Sequence, residues 1–217
     1  MTRFSALPDF YDNLDLSLDK AWQVIEAGAA KRTSPGHVPT VGTEGHDGSP
    51  QLRILVLREG DRRNRRLRFH TDCRSTKVDE LGFSSAASVL IYDPVEKIQL
   101  RLTCCTRFEF DGADVDTAWQ QSTTFAWRCY MAVTAPGSDS VGPSSGLPKF
   151  IESKQPTYLP TYLPTEVELI GARQNFAILW LEVVSLEWLY LANAGHRRAR
   201  WRWDEADEDW SGNWLVP

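Results

Sequence analysis

The stretch QLRILVLREGDRRNRRLRFHTDCRSTK, residues 51–77, decides the fold. Residues 51–59 are rich in β-branched and large apolar side chains, residues 60–66 are polar, and residues 67–71 are again β-prone. Two such runs with a polar turn between them predict a β-hairpin. Residues 76–81 predict a short helix, with Ser75 or Thr76 as its N-cap. The stretch therefore predicts a hairpin that leads directly into a helix.

The rest of the chain extends this pattern to about seven short strands in hairpin succession. A helical apolar repeat spans residues 17–32, with Ser17 as the expected cap, and a second helix is predicted over residues 114–128. Consecutive short strands with few helices favour a closed antiparallel barrel, so we expect a mainly β fold with peripheral helices. The other predicted strands are 88–92, 98–110, 177–184, 186–193 and 198–203, with a last short one that ends at Pro217.

One region interrupts the barrel pattern. Residues 134–166 are rich in Pro, Ser and Gly and contain the tandem repeat TYLPTYLP at residues 157–164. This composition predicts a long loop insertion. We therefore expect one domain over residues 1–217, with an insertion at residues 134–166.

Composition limits the function. Lys and Arg number 24 against 29 Asp and Glu, so the net charge of −5 argues against a general binder of polyanions. No apolar run is long enough to span a membrane and the N-terminus has no signal-peptide core, so we expect a cytoplasmic protein. The four cysteines have no zinc-ligand spacing, so we expect free thiols and no metal site.

The basic residues are concentrated in the hairpin region. Residues 53–77 hold nine basic and three acidic side chains, a local charge of +6. Ser75, Thr76 and Lys77 stand at a predicted helix start, where backbone N–H groups, hydroxyls and an ammonium suit a phosphate, and Arg53 can add a contact from the neighbouring strand. The arginines at 62, 63, 65 and 66 are expected to be solvated turn charges. Arg53 and Arg58 fall on opposite faces of an ideal strand unless a bulge intervenes.

These motifs resemble the flavin-binding core of the pyridoxamine 5′-phosphate oxidase family. The resemblance rests on RILVLR at 53–58, FHT at 69–71, STK at 75–77 and QLRL at 99–102, and continues in VSLEWL at 184–189, GHR at 195–197 and the closing WLVP. It implies an FMN-binding split barrel. It also implies a homodimer with FMN at the subunit interface and a small-molecule substrate.

The resemblance assigns roles to particular residues. It places Arg53, Thr76 and Lys77 at the FMN phosphate, and Leu55, Arg58, His70 and Thr71 along the flavin, with Gln99 reaching the cofactor of the partner subunit. The full predicted cofactor-binding set is Arg53, Ile54, Leu55, Arg58, His70, Thr71, Ser75, Thr76, Lys77, Gln99, Arg101, Trp188 and Leu189. The predicted substrate contacts are Arg128, His196 and Arg197. No side chain is identified as a catalytic acid or base.

The departures from the family concern the substrate. Where the true oxidase has a substrate-binding His and then an Arg, this chain has Ala199 and Trp201. We therefore expect an FMN-dependent oxidoreductase with a substrate other than pyridoxamine phosphate. A flavin carrier or sensor without turnover is the alternative, because it would use the same residues.

A third hypothesis comes from the alternating stretch RARWRW at 198–203. Arginines on one face of a strand and tryptophans near them can bind single-stranded nucleic acid through phosphates and base stacking. The simpler interpretation places the tryptophans in the core or a dimer interface and the arginines in solvent, facing the acidic run 204–209. The negative net charge favours the simpler interpretation.

Overall fold

The computed structural model describes residues 7–152 and 165–217. These residues form two compact units, and each is described here by itself. The first unit comprises the described residues 7–69, 84–107 and 180–217. The second comprises the described residues 70–83, 108–152 and 165–179. The expectation of one domain with a loop insertion stays a prediction.

Nine strands lie within the described ranges, and those of the first unit form one sheet. The neighbour order is β2-β1-β5-β6-β7-β4-β3, with β8 paired to β7 and β9 paired to β8. The mainly β fold with flanking helices is therefore confirmed. The strand bounds are β1 Thr40–Glu44, β2 Pro50–Ile54, β3 Leu57–Asp61, β4 Arg66–Asp72, β5 Ala86–Asp93, β6 Ile98–Glu109, β7 Phe176–Tyr190, β8 Arg197–Asp204 and β9 Asp209–Leu215.

The first half of the deciding stretch forms two strands rather than one. The strand predicted over residues 51–59 ends at Ile54 and resumes at Leu57 as a strand with another partner. β2 pairs with β1, and β3 pairs with β4 with a register irregularity at Arg58. β2 and β3 stand at opposite ends of the strand order, yet only residues 55–56 separate them. This short link brings the two ends of the sheet together, which is how a barrel closes.

The two faces of the sheet differ in composition. One face is apolar and buried, and includes Val89, Leu100 and Leu186, each at most 1% exposed. The other face carries exposed apolar side chains at one edge, with Leu52 72% exposed, and charged side chains on β6, β7 and β8. Because side chains alternate along a strand, each strand contributes to both faces.

The first helix, α1, packs on the first unit through an apolar stripe. It spans Leu14–Ala30 and buries Trp22 and Ile25 completely. Asn13 is its N-cap and accepts a hydrogen bond from the backbone of Leu16. The predicted cap Ser17 was wrong, since its hydroxyl is buried inside the first turns and donates to backbone carbonyls.

A short 3-10 helix, Pro35–His37, lies in the first unit, and five more α-helices lie within the described part of the chain, all in the second unit. Residues 114–128, predicted as one helix, form two that are interrupted by residues 121–123. The predicted loop 134–166 includes α5 and leads into α6, whose capping box, formed by Thr165 and Glu168, the sequence reading missed. The tandem repeat at 157–164 lies outside the described residues. The bounds are α2 Thr76–Phe83, α3 Ala113–Gln120, α4 Thr124–Arg128, α5 Lys149–Glu152 and α6 Glu166–Asn175.

The C-terminal strands also differ from expectation. Residues 177–184 and 186–193 were predicted as two strands, but β7 is one strand of 15 residues. None of the helices in residues 7–152 and 165–217 combines the length and apolar character needed to cross a membrane.

Candidate functional site

The predicted phosphate seat lies in the second unit, where β4 ends and α2 begins. Asp72 fixes the connecting turn: its carboxylate accepts hydrogen bonds from the backbone N–H of Arg74 (2.9 Å) and from the Arg74 guanidinium (2.7 Å). Its backbone carbonyl accepts from the Ser75 hydroxyl at 2.7 Å. The paired charges of Asp72 and Arg74 offset each other. The turn is therefore held in one conformation without adding net charge.

Lys77 completes this cluster. Its ammonium Nζ donates to the hydroxyls of Thr71 (2.8 Å) and Ser75 (2.7 Å), which are both buried. The Lys77 side chain is half-buried, whereas Thr76 is exposed. The ammonium is thus fixed at the N-terminal end of a helix, where the first backbone N–H groups have no partner within the helix. The structure brings together three of the predicted phosphate residues, Ser75, Thr76 and Lys77, with Thr71 beside them.

This donor set fits a phosphate monoester. A helix start attracts an anion through its N–H groups and dipole, and a fixed ammonium adds a full positive charge. Thr76 is exposed, and its hydroxyl is a further donor. FMN carries such a phosphate, so the residues of this turn are suited to hold it.

His70 and Arg128 are the other predicted site residues in the second unit. The His70 ring packs edge-to-face against Phe176, with ring centroids 4.8 Å apart. Phe176 in turn contacts the rings of Trp119 and Tyr130. His70 is therefore oriented by an aromatic cluster, and its half-buried ring lies one residue before Thr71. Arg128 is half-buried at the C-terminal end of α4.

Arg53 lies in the first unit, on β2. Its guanidinium donates to the Thr43 hydroxyl of β1, and its Cα partner in the ladder is Val41. Its neighbour Ile54 faces the other way and is 67% exposed. Leu55 lies in the link between β2 and β3, and Arg58 is exposed at the register irregularity of β3. The irregularity lies between Leu57 and Glu59, at Arg58 itself, and Arg53 and Arg58 are separated by the break between β2 and β3.

A charged cluster that sequence reasoning missed is centred on Glu187. Its carboxylate pairs with Arg198 at 2.7 Å, with Arg200 at 2.8 Å and with Arg101 at 3.8 Å. Burial of the carboxyl opposes ionisation, but hydrogen bonds from Arg198 and Arg200, with the charge of Arg101, outweigh burial and lower the pKa of Glu187. The sequence did contain a signal for this cluster. Glu187 lies on one predicted strand, and the next predicted strand carries arginines at alternate positions. Arg198 and Arg200 of β8 thus pair with Glu187, so the expectation that they face residues 204–209 was wrong.

The same cluster locates four predicted cofactor residues. Arg101 lies on the cluster face, and Gln99 lies two residues earlier on β6, opposite Tyr92 in the ladder. Leu189 is half-buried on β7, beside Arg198 in the register. Trp188 has the opposite orientation: it is fully buried and packs against the rings of Phe10, Tyr190 and Trp214.

An open cavity of about 270 Å³ lies on this face of the first unit. It runs from an apolar edge at Leu52 and Leu90 to a charged end at Arg101 and Glu187. A groove with apolar walls and a few charged groups is typical of a small-molecule site.

His196 and Arg197 lie at the turn between β7 and β8. His196 is exposed, and Arg197 is held by the N-terminal segment: its Nε lies 2.7 Å from the Asp12 carboxylate and its guanidinium 4.0 Å from the Tyr11 ring centroid. The hydrogen bond to Asp12 raises the pKa of Arg197 above its ordinary value. The substitutions Ala199 and Trp201 are both buried, at 0% and 2% exposure.

Closed antiparallel sheet, flanking helices and a phosphate-type turn after β4 define a split-barrel protein. Comparison with known proteins shows which proteins this chain is similar to. Residues 19–108 match the family model described as the FMN-binding domain of pyridoxamine 5′-phosphate oxidase. This match confirms the resemblance to FMN-binding proteins related to pyridoxamine 5′-phosphate oxidase that the sequence predicts.

Individual relatives agree. A pyridoxine/pyridoxamine 5′-phosphate oxidase of Chromohalobacter salexigens is 25% identical over 209 residues, covering 93% of this chain and 88% of the relative. A pyridoxamine 5′-phosphate oxidase-related, FMN-binding protein of Nostoc punctiforme has a similar fold, with a TM-score of 0.67 at 20% identity, covering 98% of this chain and all of that one. PhzG of Burkholderia lata, solved with tetrahydrophenazine-1-carboxylic acid, has a TM-score of 0.65 at 20% identity and covers 98% of each chain.

Proposed function

We propose that the protein is an FMN-dependent oxidoreductase that acts on a small molecule other than pyridoxamine 5′-phosphate. The observation that carries the proposal is the turn after β4, where Lys77 is bound to the hydroxyls of Thr71 and Ser75 at a helix start. This arrangement suits the FMN phosphate, and residues 19–108 match the family model of an FMN-binding domain. Bound FMN supplies the redox chemistry of its isoalloxazine ring.

The proposal gives the chain's own residues the tasks of binding and orientation. Ser75, Thr76 and Lys77 hold the phosphate, and Arg53 adds a second cation. Thr71 and the packed ring of His70 orient the cofactor near the phosphate. Gln99 and Arg101 contact the cofactor from the strand face that carries Glu187.

The different substrate is proposed from the buried strand face of β8. Ala199 and Trp201 occupy the positions at which the true oxidase has its His and second Arg, and both are packed in the interior. Neither side chain can donate a hydrogen bond to a substrate from there. Recognition of the substrate must therefore depend on other residues, of which Arg128, His196 and Arg197 are the candidates.

A homodimer with FMN at the subunit interface is part of the proposal. Leu52, Ile54, Leu90 and Tyr92 form an apolar patch on the outer face of the sheet, and each is at least 41% exposed. An exposed apolar patch of this kind often marks a protein interface. A second copy of the chain would cover it and bring Gln99 of each subunit toward the other. We also place the protein in the reducing cytoplasm, since all four cysteines carry free thiols.

The first test is the visible spectrum of the purified protein after incubation with FMN and desalting. A retained flavin spectrum in the wild type and its loss in Arg53→Glu are expected, because the resemblance assigns Arg53 to the FMN phosphate and the substitution reverses its charge. Arg63→Glu, in the exposed β3–β4 turn, is the matched control and should keep the flavin. Normal FMN affinity in Arg53→Glu would refute the site.

Turnover is tested separately. The flavin-loaded protein is mixed with NADH or NADPH without oxygen, and bleaching of the flavin absorbance is followed before and after air is admitted. Reduction followed by reoxidation supports the oxidoreductase. Retained flavin that neither nicotinamide reduces would weaken the reductase version and favour a carrier or sensor.

A further inference from the structure

The N-terminal segment, residues 7–13, lies against the turn between β7 and β8. The ring of Phe10 meets the rings of Trp188 and Tyr190 edge-to-face, at centroid distances of 5.7 and 5.2 Å. Tyr11 is 4% exposed, and its hydroxyl donates to the carbonyl of Gly195 at 2.7 Å. Buried aromatic contacts therefore anchor the segment, independently of any ion pair.

Arg197 is the residue of the β7–β8 turn that this segment covers. Tyr11 lies on the flat face of its guanidinium at 4.0 Å, and the Asp12 carboxylate accepts from its Nε at 2.7 Å. The two partners differ in exposure, since Tyr11 is buried while the Asp12 side chain is 71% exposed. The stacked ring holds the guanidinium in place. Asp12 occupies an edge of it, where the N–H donors lie.

We propose that Asp12 is a specificity-determining residue that keeps anionic groups off Arg197. A carboxylate or phosphate of a ligand reaches the guanidinium only when it displaces Asp12, whereas an uncharged acceptor avoids repulsion by it. The inference rests on the proposed function, in which Arg197 faces the substrate. It narrows the substrate class to molecules that are uncharged where they meet Arg197.

The size of the effect follows from the exposure of the pair. Exposed ion pairs contribute little, so removing the Asp12 charge should tighten binding of an anion at Arg197 by about two- to fivefold. Asp12 acts as an attached competitor, because the anchored segment keeps its carboxylate close to the guanidinium at all times. The effect should require both Arg197 and a negative charge on the ligand.

The test uses the full-length protein and two probes of the same shape, benzoate and neutral benzamide. Affinities are measured by isothermal titration calorimetry for the wild type, Asp12→Asn, Arg197→Gln and the double variant. Asp9→Asn is the matched control, because Asp9 is an exposed acid of the same segment. We expect benzoate to bind Asp12→Asn about two- to fivefold more tightly than the wild type. Its affinity should not increase in Asp9→Asn or in the double variant, which lacks Arg197 as well as Asp12. The affinity for benzamide should be the same in Asp12→Asn and the wild type.

Three results would overturn the proposal. They are no gain for benzoate in Asp12→Asn, an equal gain in Asp9→Asn, and an equal gain for benzamide. Hydrogen exchange of residues 7–13 separates charge removal from detachment, and loss of their protection in Asp12→Asn would also overturn it. FMN retention is measured in parallel on the wild type. Absence of bound FMN would refute the proposed function, whereas the calorimetric affinities test the role of Asp12 independently.

Discussion

Methionine in place of Lys77 keeps a long side chain and removes its ammonium group. In the wild type that ammonium donates to the hydroxyls of Thr71 and Ser75 at 2.8 and 2.7 Å. Both hydroxyls keep a second partner in the variant, the carbonyl of Asp72. The turn should therefore keep its conformation, and the change in the free energy of unfolding should stay within about 1 kcal/mol.

Removal of the Lys77 ammonium should instead lower the affinity for FMN. A hydrogen bond between charged groups contributes about 1.5–3 kcal/mol, which corresponds to an affinity change of about 10- to 150-fold. Lys77 is half-buried, so its charge is only partly screened by solvent. We therefore expect Lys77→Met to weaken FMN binding by a factor in that range.

Titration of flavin fluorescence quenching measures the affinity. Lys31→Met is the matched control, because Lys31 is exposed at the C-terminal end of α1. Riboflavin, which lacks the phosphate, should bind Lys77→Met and the wild type equally. FMN affinity within twofold of the wild type would refute the phosphate assignment. An equal loss of riboflavin affinity would show that Lys77 acts on the ring or on the fold instead.

Three further predictions concern stability and assembly. Gly28→Ala places a Cβ 2.5 Å from the backbone carbonyl of Gly36. The resulting steric clash should outweigh the gain in helix propensity and lower the free energy of unfolding by about 1–2 kcal/mol. Thermal unfolding measures the change, and an unchanged or higher Tm would contradict this prediction. Glu187→Gln removes the negative charge and one of the two oxygens that accept from Arg198 and Arg200, and should cost about 1–3 kcal/mol at neutral pH. Because the folded pKa of Glu187 is lowered, its ionic contribution is complete above the ordinary carboxyl pKa of about 4.3 and disappears as the pH falls through the folded pKa. Denaturant unfolding should therefore show the two proteins converging in acid, and a constant difference would count against the ion pairs. For the proposed homodimer, Ile54→Glu is expected to convert the dimer into a folded monomer in analytical ultracentrifugation, and a dimeric variant would exclude the apolar patch as the interface.

Much of the candidate phosphate turn could be predicted because its determinants are local. Ser75, Thr76 and Lys77 are adjacent in the chain, and a helix start forms wherever capping residues precede a helical run. The long strand β6 was also predicted closely, as residues 98–110 against the observed Ile98–Glu109. In both cases the residues that decide the structure are near neighbours in sequence.

The remaining site residues depend on contacts between distant parts of the chain. Glu187 meets Arg198, Arg200 and Arg101 only because β7 lies between β6 and β8 in the sheet. Asp12 reaches Arg197 across 185 positions of sequence. The break in the strand predicted over residues 51–59 also depends on distant contacts. Side chains alternate in the same way along one strand and along two consecutive strands, so the sequence pattern does not reveal the break.

The sequence by itself determined the mainly β character, the position of the phosphate-type turn and the absence of the oxidase's His and second Arg at residues 199 and 201. These features depend on residue type and near-neighbour spacing. Only the tertiary structure decided which sheet edge each half of residues 51–59 joins and which arginines pair with Glu187. It also decided which residues contact the guanidinium of Arg197. The physical reason is that strand pairing, ion pairs and aromatic packing join residues that the chain separates by tens to hundreds of positions, so their partners are chosen when the sheet closes.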